Sequence, residues 1–318
     1  MRPGLERTSA RGRSNHNPTL FRGRCRPPRH AQHQHQRLMA SLFGASVAAA
    51  YALHRPILPP AVVAAILAEA GSGVKRIVDI ACGSGQLTLA LAAATPRATV
   101  VVGLDASPAQ LSFARDADPG GRVLWRQGTA TETGEETGAA DLLTVAQALH
   151  WCVPARPPAS PAPPPRPFYV EAARVLRPGG TFAAVSYGLA SICAADADGG
   201  TPLPAATAVL HAAHDDTLAA YWAPERALVL NGMRGLDPTP GEGFPRVVRR
   251  AARMSSAPLT PAAIAGYVAS WSATAAAAAA GLDVAREVGA GLEAALGGPA
   301  ARARLDWPVT LLLAARAA

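Results

Sequence analysis

The chain has 318 residues, is 49% hydrophobic and carries a formal net charge of +8. Nine arginines and only one acid, Glu6, fall within residues 1–37, so the rest of the chain holds 21 basic and 21 acidic side chains. A neutral body argues against nucleic-acid binding, which depends on neutralising phosphates. A membrane span is not indicated either, because the nearest candidate, 38–53, is short and alanine-rich.

The N-terminal tail, 1–37, is rich in Arg, His, Gln and Pro and lacks apolar periodicity, which predicts disorder. Two explanations fit it. An Arg-rich, acid-poor start is typical of a transit peptide, which would place the protein in a plastid or mitochondrion. Alternatively, translation begins at Met39 and the protein is cytoplasmic. The four cysteines have neither disulfide nor metal-ligand spacing, which favours a reducing compartment and no metal.

Strand and helix patterns alternate after a helical stretch at 42–70 that prolines interrupt. The predicted strands are 76–80, 99–104, 123–127, 142–146 and 181–186. The predicted helices between them are 87–94, 108–117 and 168–176, the second with Ser107 as its N-cap. This alternation predicts an α/β fold with a Rossmann-like, doubly wound, mostly parallel seven-stranded sheet and helices on both faces.

The predicted catalytic domain covers 38–318 and contains two irregular regions. Proline at a density incompatible with helix or sheet predicts an extended insertion at 154–167. Weak periodicity with many Gly and Pro residues at 190–260 predicts a cap over the ligand edge of the sheet. An alanine-rich helix at 273–280 and a final strand at 305–314 complete the prediction.

A glycine-rich turn follows the first predicted strand and carries the most specific signal. Asp79 ends the strand, and the turn Cys82-Gly83-Ser84-Gly85 leads into a helix. A carboxylate at this place would repel a pyrophosphate but suits a ligand with an ammonium and a sulfonium, such as S-adenosylmethionine. Asp105 ends the second strand, where an acid commonly binds ribose hydroxyls. The alternative roles are a loop-capping carboxylate for Asp79 and a helix N-terminal acid for Asp105.

Four segments together resemble the class I S-adenosylmethionine-dependent methyltransferases. They are 79–86, 127–130, 141–151 and 168–180. More narrowly, the chain is similar to the type 11 group that includes trans-aconitate methyltransferase-like proteins. The resemblance covers about 41–318, apart from the proline-rich insertion, and implies S-adenosylmethionine as the cofactor.

The resemblance also implies roles for the matching residues. Asp79, Gly83 and Gly85 would line the methionine part of the cofactor, together with Cys82 as a small filler and Ser84. Asp105 would bind the ribose, the turn Thr129-Ala130 would meet the adenine, and Gln147 would lie beside the cofactor. Thr131 departs from the family pattern, in which an acid is common, so Glu132 or the backbone would have to take over adenine recognition.

His150 and Trp151 follow the fourth strand at the ligand edge. His150 is predicted either as a general base or as a core histidine. Trp151, Tyr187 and Trp222 are predicted to shape the acceptor pocket, with core or lid packing as the alternative for each.

The predicted reaction moves a methyl group to an oxygen, a carboxylate or hydroxyl, of a small and acidic metabolite. The alternatives are a catalytically impaired protein that still binds the cofactor, and an NAD-dependent dehydrogenase. Against the dehydrogenase stand Asp79 and the absence of the third glycine of the dinucleotide motif. We expect a monomer or homodimer without nucleic-acid or membrane partners.

Overall fold

The computed structural model describes residues 53–153, 165–196 and 200–318. The basic tail, Met39, the first part of the helical pattern at 42–70 and most of the proline-rich insertion lie outside them. The helices are α1 (Pro60–Ala70), α2 (Gln86–Ala94), α3 (Pro108–Asp116), α4 (Leu149–Cys152), α5 (Pro167–Val175), α6 (Pro204–Ala212), α7 (Arg226–Leu230), α8 (Pro261–Ala269), α9 (Ser272–Ala279) and α10 (Val284–Leu296). The strands are β1 (Arg76–Ile80), β2 (Val100–Asp105), β3 (Leu124–Gln127), β4 (Ala140–Ala146), β5 (Leu176–Tyr187), β6 (Ser191–Ala194), β7 (Arg246–Ser255) and β8 (Ala303–Ala315).

The sheet combines a parallel half with an antiparallel edge. Strands β3, β2, β1, β4 and β5 lie in that order and are parallel, and β8 pairs antiparallel with β5, β6 and β7. Strands β5 and β6 share one edge of β8, since Tyr187 pairs with Val309 and Ser191 with Asp306, while β7 pairs along the other edge. Eight strands therefore fill seven positions, and the doubly wound architecture is confirmed.

The predicted cap region, 190–260, differs from the expectation because it also supplies two strands of the sheet, β6 and β7. Strand β7 lies at the edge and most of its residues are at least partly exposed. Arginines are interspersed along it, as is common on edge strands. A buried face is what produces a clear alternating pattern, so this strand had little signal in the sequence.

Local capping explains where several helices begin. Ser107 accepts a hydrogen bond from the Gln110 amide at 3.3 Å, and Pro108 occupies the first helical position, which confirms the predicted N-cap of α3. Asp283 caps α10 in the same way, and that helix ends at Gly297 with a φ of 87°. These caps satisfy amides that have no partner inside the helix.

Two apolar layers pack on the two faces of the sheet. Consecutive strand residues alternate between them, so Ile77 belongs to one layer and Val78 to the other. The first layer includes α1, α2, α6, α8 and α10, and the second includes α5. Helices on both faces leave the carboxyl edge of the parallel strands as the place for a ligand.

Among the described residues, no single helix has the length and apolar content to cross a membrane, although the bent pair α8 and α9 meets those criteria when taken together.

Candidate active site

A cavity lies at the carboxyl edge of the sheet, between the ends of β1, β4 and β5 and the segment before α1. It encloses about 460 Å³, a volume that includes space open to solvent. Its lining residues are Arg55, Pro56, Leu58, Ala81, Cys82, Gly83, Gln86, Leu87, Ala146, Gln147, Val185 and Tyr187. Four residues predicted for the site are thus brought together, namely Cys82, Gly83, Gln147 and Tyr187.

Two strained turns shape this cavity. Ala81, after β1, has a φ of 52°, and Gln147, after β4, has a φ of 51°. Left-handed conformations are uncommon for residues other than glycine and cluster at ligand sites. Both residues line the cavity. The backbone strain and the strand topology therefore both indicate a ligand site at this edge of the sheet.

Asp79 does not line the cavity, which differs from the expectation that it faces the ligand. Its side chain is 1% exposed and lies behind the glycine turn. Thr88 and Thr144 donate hydrogen bonds to its two carboxylate oxygens at 2.5 and 2.7 Å. Burial raises the pKa of Asp79 to about 6, against the lowering effect of these bonds, and the charge of Asp105 raises it further. Burial closes the Asp79 carboxylate off from the cavity, so any effect on a ligand acts through its charge.

Asp105 ends β2 and ties the glycine turn to the next helix. The Gly83 amide donates to one carboxylate oxygen and the Ser107 amide to the other, both at 2.8 Å. Burial raises the pKa of Asp105, against the lowering effect of these amides. A carboxylate has about four lone-pair sites, and the backbone amides do not fill all of them, so acceptor positions remain for ribose hydroxyls. The structure therefore leaves room for the predicted role.

The two glycines of the turn serve different needs. Gly83 lines the cavity, but Gly85 does not. A Cβ on Gly85 would come within 2.6 Å of the Trp125 ring, and one on Gly103 within 2.5 Å. Gly85 also has a φ of 87°. Gly85 therefore has a packing role beside Trp125, and its predicted contact with the cofactor stays a prediction.

Ser84 and Cys82, two other residues of the turn, differ in whether their side chains can hydrogen-bond a ligand. The Ser84 hydroxyl is buried and has no hydrogen-bond partner among the described residues. Cys82 lines the cavity, and burial raises the pKa of its thiol, which keeps it protonated. Cys82 is therefore a small wall residue, while Ser84 is a buried polar group available to a ligand.

Gln147 lies beside the cavity, yet its side chain is already engaged. Its amide nitrogen donates to the Tyr187 carbonyl at 3.0 Å, and its amide oxygen accepts from the Tyr187 amide at 3.3 Å. These bonds extend the pairing of β4 and β5 and leave the Gln147 backbone as the part exposed to a ligand. The turn at Thr129-Ala130 follows β3, with Thr129 exposed and Ala130 partly buried.

His150 and Trp151 lie on α4, directly after β4, with ring centroids 4.8 Å apart. Burial lowers the pKa of His150 to about 3, with a smaller contribution from the positive charge of Arg226. A neutral imidazole with so low a pKa is a poor proton acceptor near neutral pH. The structure therefore disfavours the general-base role of His150.

Arg55 is a residue of the site that sequence reasoning missed. Its guanidinium donates to the Tyr187 hydroxyl at 3.3 Å and to the Ser270 carbonyl at 3.0 Å. It also lies 5.8 Å from the centroid of the Tyr267 ring. The only signal in the sequence was its position before Pro56, at a break in a helical pattern.

Trp222 belongs to an aromatic cluster together with His214 and Trp271. The His214 and Trp222 centroids are 4.7 Å apart, and those of Trp222 and Trp271 are 5.7 Å apart. Arg226 stacks on the Trp222 ring at 4.8 Å. Trp222 is absent from the lining of the cavity described above, and its predicted place in the acceptor pocket stays a prediction.

Comparisons with known proteins agree on the family. Residues 78–184 match the methyltransferase domain. A solved structure from Anaeromyxobacter dehalogenans, assigned to the type II methyltransferases, is 31% identical with a TM-score of 0.63, covering 81% of this chain and 97% of that one. The chain belongs to the class I methyltransferases. Their cofactor is S-adenosylmethionine, and the dehydrogenase alternative is therefore wrong.

Curated relatives of this methyltransferase match over shorter stretches. An uncharacterized methyltransferase of Mycobacterium tuberculosis is 37% identical over 150 residues, 47% of this chain and 54% of that protein. A Dictyostelium discoideum protein assigned as a methyltransferase is 30% identical over 201 residues, 63% of this chain and 65% of that protein. The methyltransferase thus spans about half the length of the mycobacterial relative.

The site of this methyltransferase fits S-adenosylmethionine on its own geometry. Ser84 offers a buried hydroxyl without a partner, and Asp105 keeps free acceptor positions. Gly83 allows backbone to approach a ligand closely. Arg55 adds a cation to the wall, as the carboxylate of the cofactor requires.

Proposed function

We propose that this methyltransferase transfers a methyl group from S-adenosylmethionine to an oxygen of a small, acidic metabolite. The observation that carries this proposal is the cavity itself. It lies at the carboxyl edge of the sheet, and the only charged side chain among its described lining residues is the cation Arg55, so its charge suits an anionic ligand. The neutral body of the chain supports a small acceptor over a nucleic acid.

S-adenosylmethionine supplies a methyl group that its sulfonium already activates. In the proposed arrangement the Gly83 and Gln147 backbones border the methionine part, and Arg55 binds its carboxylate. Asp105 accepts hydrogen bonds from the ribose, and the turn Thr129-Ala130 borders the adenine. Apart from Arg55, which lies in the segment before α1, these residues lie at the carboxyl ends of four adjacent strands, so one extended ligand can reach them.

The state of His150 favours a carboxylate over a hydroxyl as the acceptor. A hydroxyl must lose its proton during transfer and needs a base, which a histidine with a pKa of about 3 does not provide. A carboxylate is already ionised at neutral pH. One of its oxygens forms a bond to the methyl carbon while the carbon–sulfur bond breaks, and that electron pair stays on sulfur. The products are a methyl ester and S-adenosylhomocysteine.

On this proposal the protein accelerates the reaction mainly by position. Holding the acceptor oxygen in line with the methyl group converts an encounter into an intramolecular step. The strained turns at Ala81 and Gln147 hold the cavity wall in place for this purpose. The resemblance to trans-aconitate methyltransferase-like proteins also supports an acidic acceptor, and that narrower assignment stays a prediction.

Calorimetric titration with S-adenosylhomocysteine tests the cofactor site first, followed by transfer of a labelled methyl group to a panel of carboxylic acids. We expect cofactor binding and labelled esters. Asp105→Asn should weaken binding by about tenfold through the lost ribose contact, while Asp116→Asn, at the exposed end of α3, should not. Failure to bind S-adenosylhomocysteine at millimolar concentration would overturn the proposal. Binding without transfer to any acid would instead support the impaired cofactor-binding alternative.

A further inference from the structure

Arg226 begins α7, a short helix next to the active-site edge. Helix α7 packs against α4, which carries His150, and against β5, which ends at Tyr187. The charge of Arg226 contributes to the lowered pKa of His150, after burial. Arg226 therefore lies close to the cavity without belonging to the lining described above.

Two side chains hold the Arg226 guanidinium in place. Its Nε donates to His214 Nε2 at 3.2 Å. Because a guanidinium only donates, His214 Nε2 must accept and Nδ1 must carry the ring proton, which it donates to Asp215 Oδ1 at 2.6 Å. Trp222 supports the flat face of the guanidinium at 4.8 Å. Arg226 is thus oriented before any ligand arrives.

The remaining nitrogens of Arg226 lack protein partners. Among the described residues, neither Nη1 nor Nη2 makes a hydrogen bond, and no carboxylate forms an ion pair with this side chain. Burial lowers the pKa of Arg226, Tyr267 acts against this, and the positive charge of Arg55 adds to the lowering. A partly buried guanidinium whose two terminal nitrogens have no protein partner can bind the two oxygens of an anionic group.

We infer that Arg226 anchors an anionic group of the methyl acceptor, while Arg55 serves the carboxylate of the cofactor. This inference rests on the proposed function and names a residue that determines its specificity. His214 is a positioning residue, since it acts only through Arg226. A carboxylate held by both Nη atoms shares its charge with the guanidinium and is a weaker nucleophile, so we place the reacting oxygen on another group. The acceptor would then carry its anchor and its methylated group at separate positions.

Binding of small probes tests this inference with and without S-adenosylhomocysteine. The probes are succinate, tricarballylate and the uncharged succinamide, followed by saturation-transfer NMR and calorimetry. We expect the two acids to bind and succinamide not to bind. Arg226→Gln should weaken acid binding by about tenfold or more and leave the affinity for S-adenosylhomocysteine within about twofold. The matched control, Arg286→Gln, removes an exposed arginine of α10 and should change neither.

Two further variants keep the test decisive. Arg226→Lys retains the charge but not the fork of donors, so acid binding should fall by less than in the Gln variant. It also replaces the Gln variant if that one does not fold. His214→Leu should raise the KM for a methylated acid and leave kcat within about twofold, because it frees the anchor without touching the reacting groups.

The outcomes separate this inference from the proposed function. Equal acid binding by wild type and Arg226→Gln would overturn it, as would wild-type protein that binds S-adenosylhomocysteine but neither acid. If acid binding depends on Arg226 but the protein does not bind S-adenosylhomocysteine, the anion site is supported and the proposed methyl transfer is overturned.

Discussion

Asp79 shows how burial changes the meaning of a single charge. Its carboxylate lies behind the glycine turn, is 1% exposed and has both oxygens occupied by threonine hydroxyls. It acts on a cationic ligand through its charge alone, in surroundings of low polarity where that charge is poorly screened. The structure places Asp79 beneath the site and away from the described cavity lining, and its role toward the cofactor stays a prediction.

The raised pKa of Asp79 predicts pH-dependent cofactor binding. A bound cation favours the ionised carboxylate, so affinity for S-adenosylmethionine should fall as the pH drops below about 6 and Asp79 becomes protonated. Calorimetry between pH 5 and 8 checks this, with Asp79→Asn as the comparison. The Asn variant should bind more weakly at pH 7.5 and lose this dependence. An unchanged slope in that variant would show that another group titrates.

The same shift has the opposite consequence for stability without the cofactor. Because folding raises the pKa of Asp79 from 3.8 to about 6, its contribution is fully present below pH 3.8 and is lost as the pH rises through about 6. A shift of this size corresponds to about 3 kcal/mol. Chemical unfolding at pH 7.5 should therefore find Asp79→Asn at least as stable as wild type. A marked loss of stability would mean that the hydrogen bonds from Thr88 and Thr144 need the carboxylate.

At the scale of elements, Trp125 of β3 joins three parts of the fold. Its ring lies against Gly85 at the start of α2 and Gly103 in β2, and its Nε1 donates to Asp118 at 3.2 Å. Gly85 and Gly103 therefore leave space for the Trp125 ring, a role separate from any contact with a ligand. The sequence favoured only the ligand explanation for Gly85, since a spacing of residues does not show which side chain fills a space.

A double-mutant cycle tests this packing. Gly103→Ala should destabilise the protein by about 1–3 kcal/mol through its clash with Trp125. Trp125→Leu should relieve that clash, so the combined loss should be smaller than the two single losses added together. Gly85→Ala in the Trp125→Leu background should keep a penalty of about 1–2 kcal/mol, because its φ of 87° stays unfavourable. Urea unfolding measures the free energy of unfolding of all four variants. If the losses from Gly103→Ala and Trp125→Leu simply add up in the double variant, the clash is excluded.

The elements also show where sequence patterns fail. Strands β1, β2 and β4 consist largely of buried residues. Their runs of apolar, often β-branched residues made them predictable from the sequence. Strand β6 is only four residues long, and β7 is an exposed edge. Neither presents a continuous buried face, so both were hidden in the predicted cap.

At the scale of the whole molecule, the net positive charge is confined to one end of the chain. The first 37 residues carry the whole formal excess, and the rest of the chain balances to neutrality. Any attraction to nucleic acid should therefore belong to this tail and disappear at high salt.

Protein that begins at Met39 tests the separation of charge from catalysis. We expect its melting temperature and its affinity for S-adenosylhomocysteine to match those of the full chain, because the cavity is built from Arg55 onwards. Retention on heparin at low salt should be lost with the tail. A truncated protein that still binds heparin would place a basic surface on the folded body.

The sequence by itself determined the alternation of strands and helices in the parallel half of the sheet, the glycine turn, the acid of β2 and hence the family and its cofactor. These features are local in the chain, and the periodicity and spacing of neighbouring residues reflect the backbone conformation directly. Only the tertiary structure showed that two threonines donate hydrogen bonds to Asp79 and that Gly85 packs against Trp125. It also showed that Arg55 and Arg226 lie near the active-site edge. Residues far apart in the chain meet there, and their burial and charge depend on neighbours that no spacing encodes.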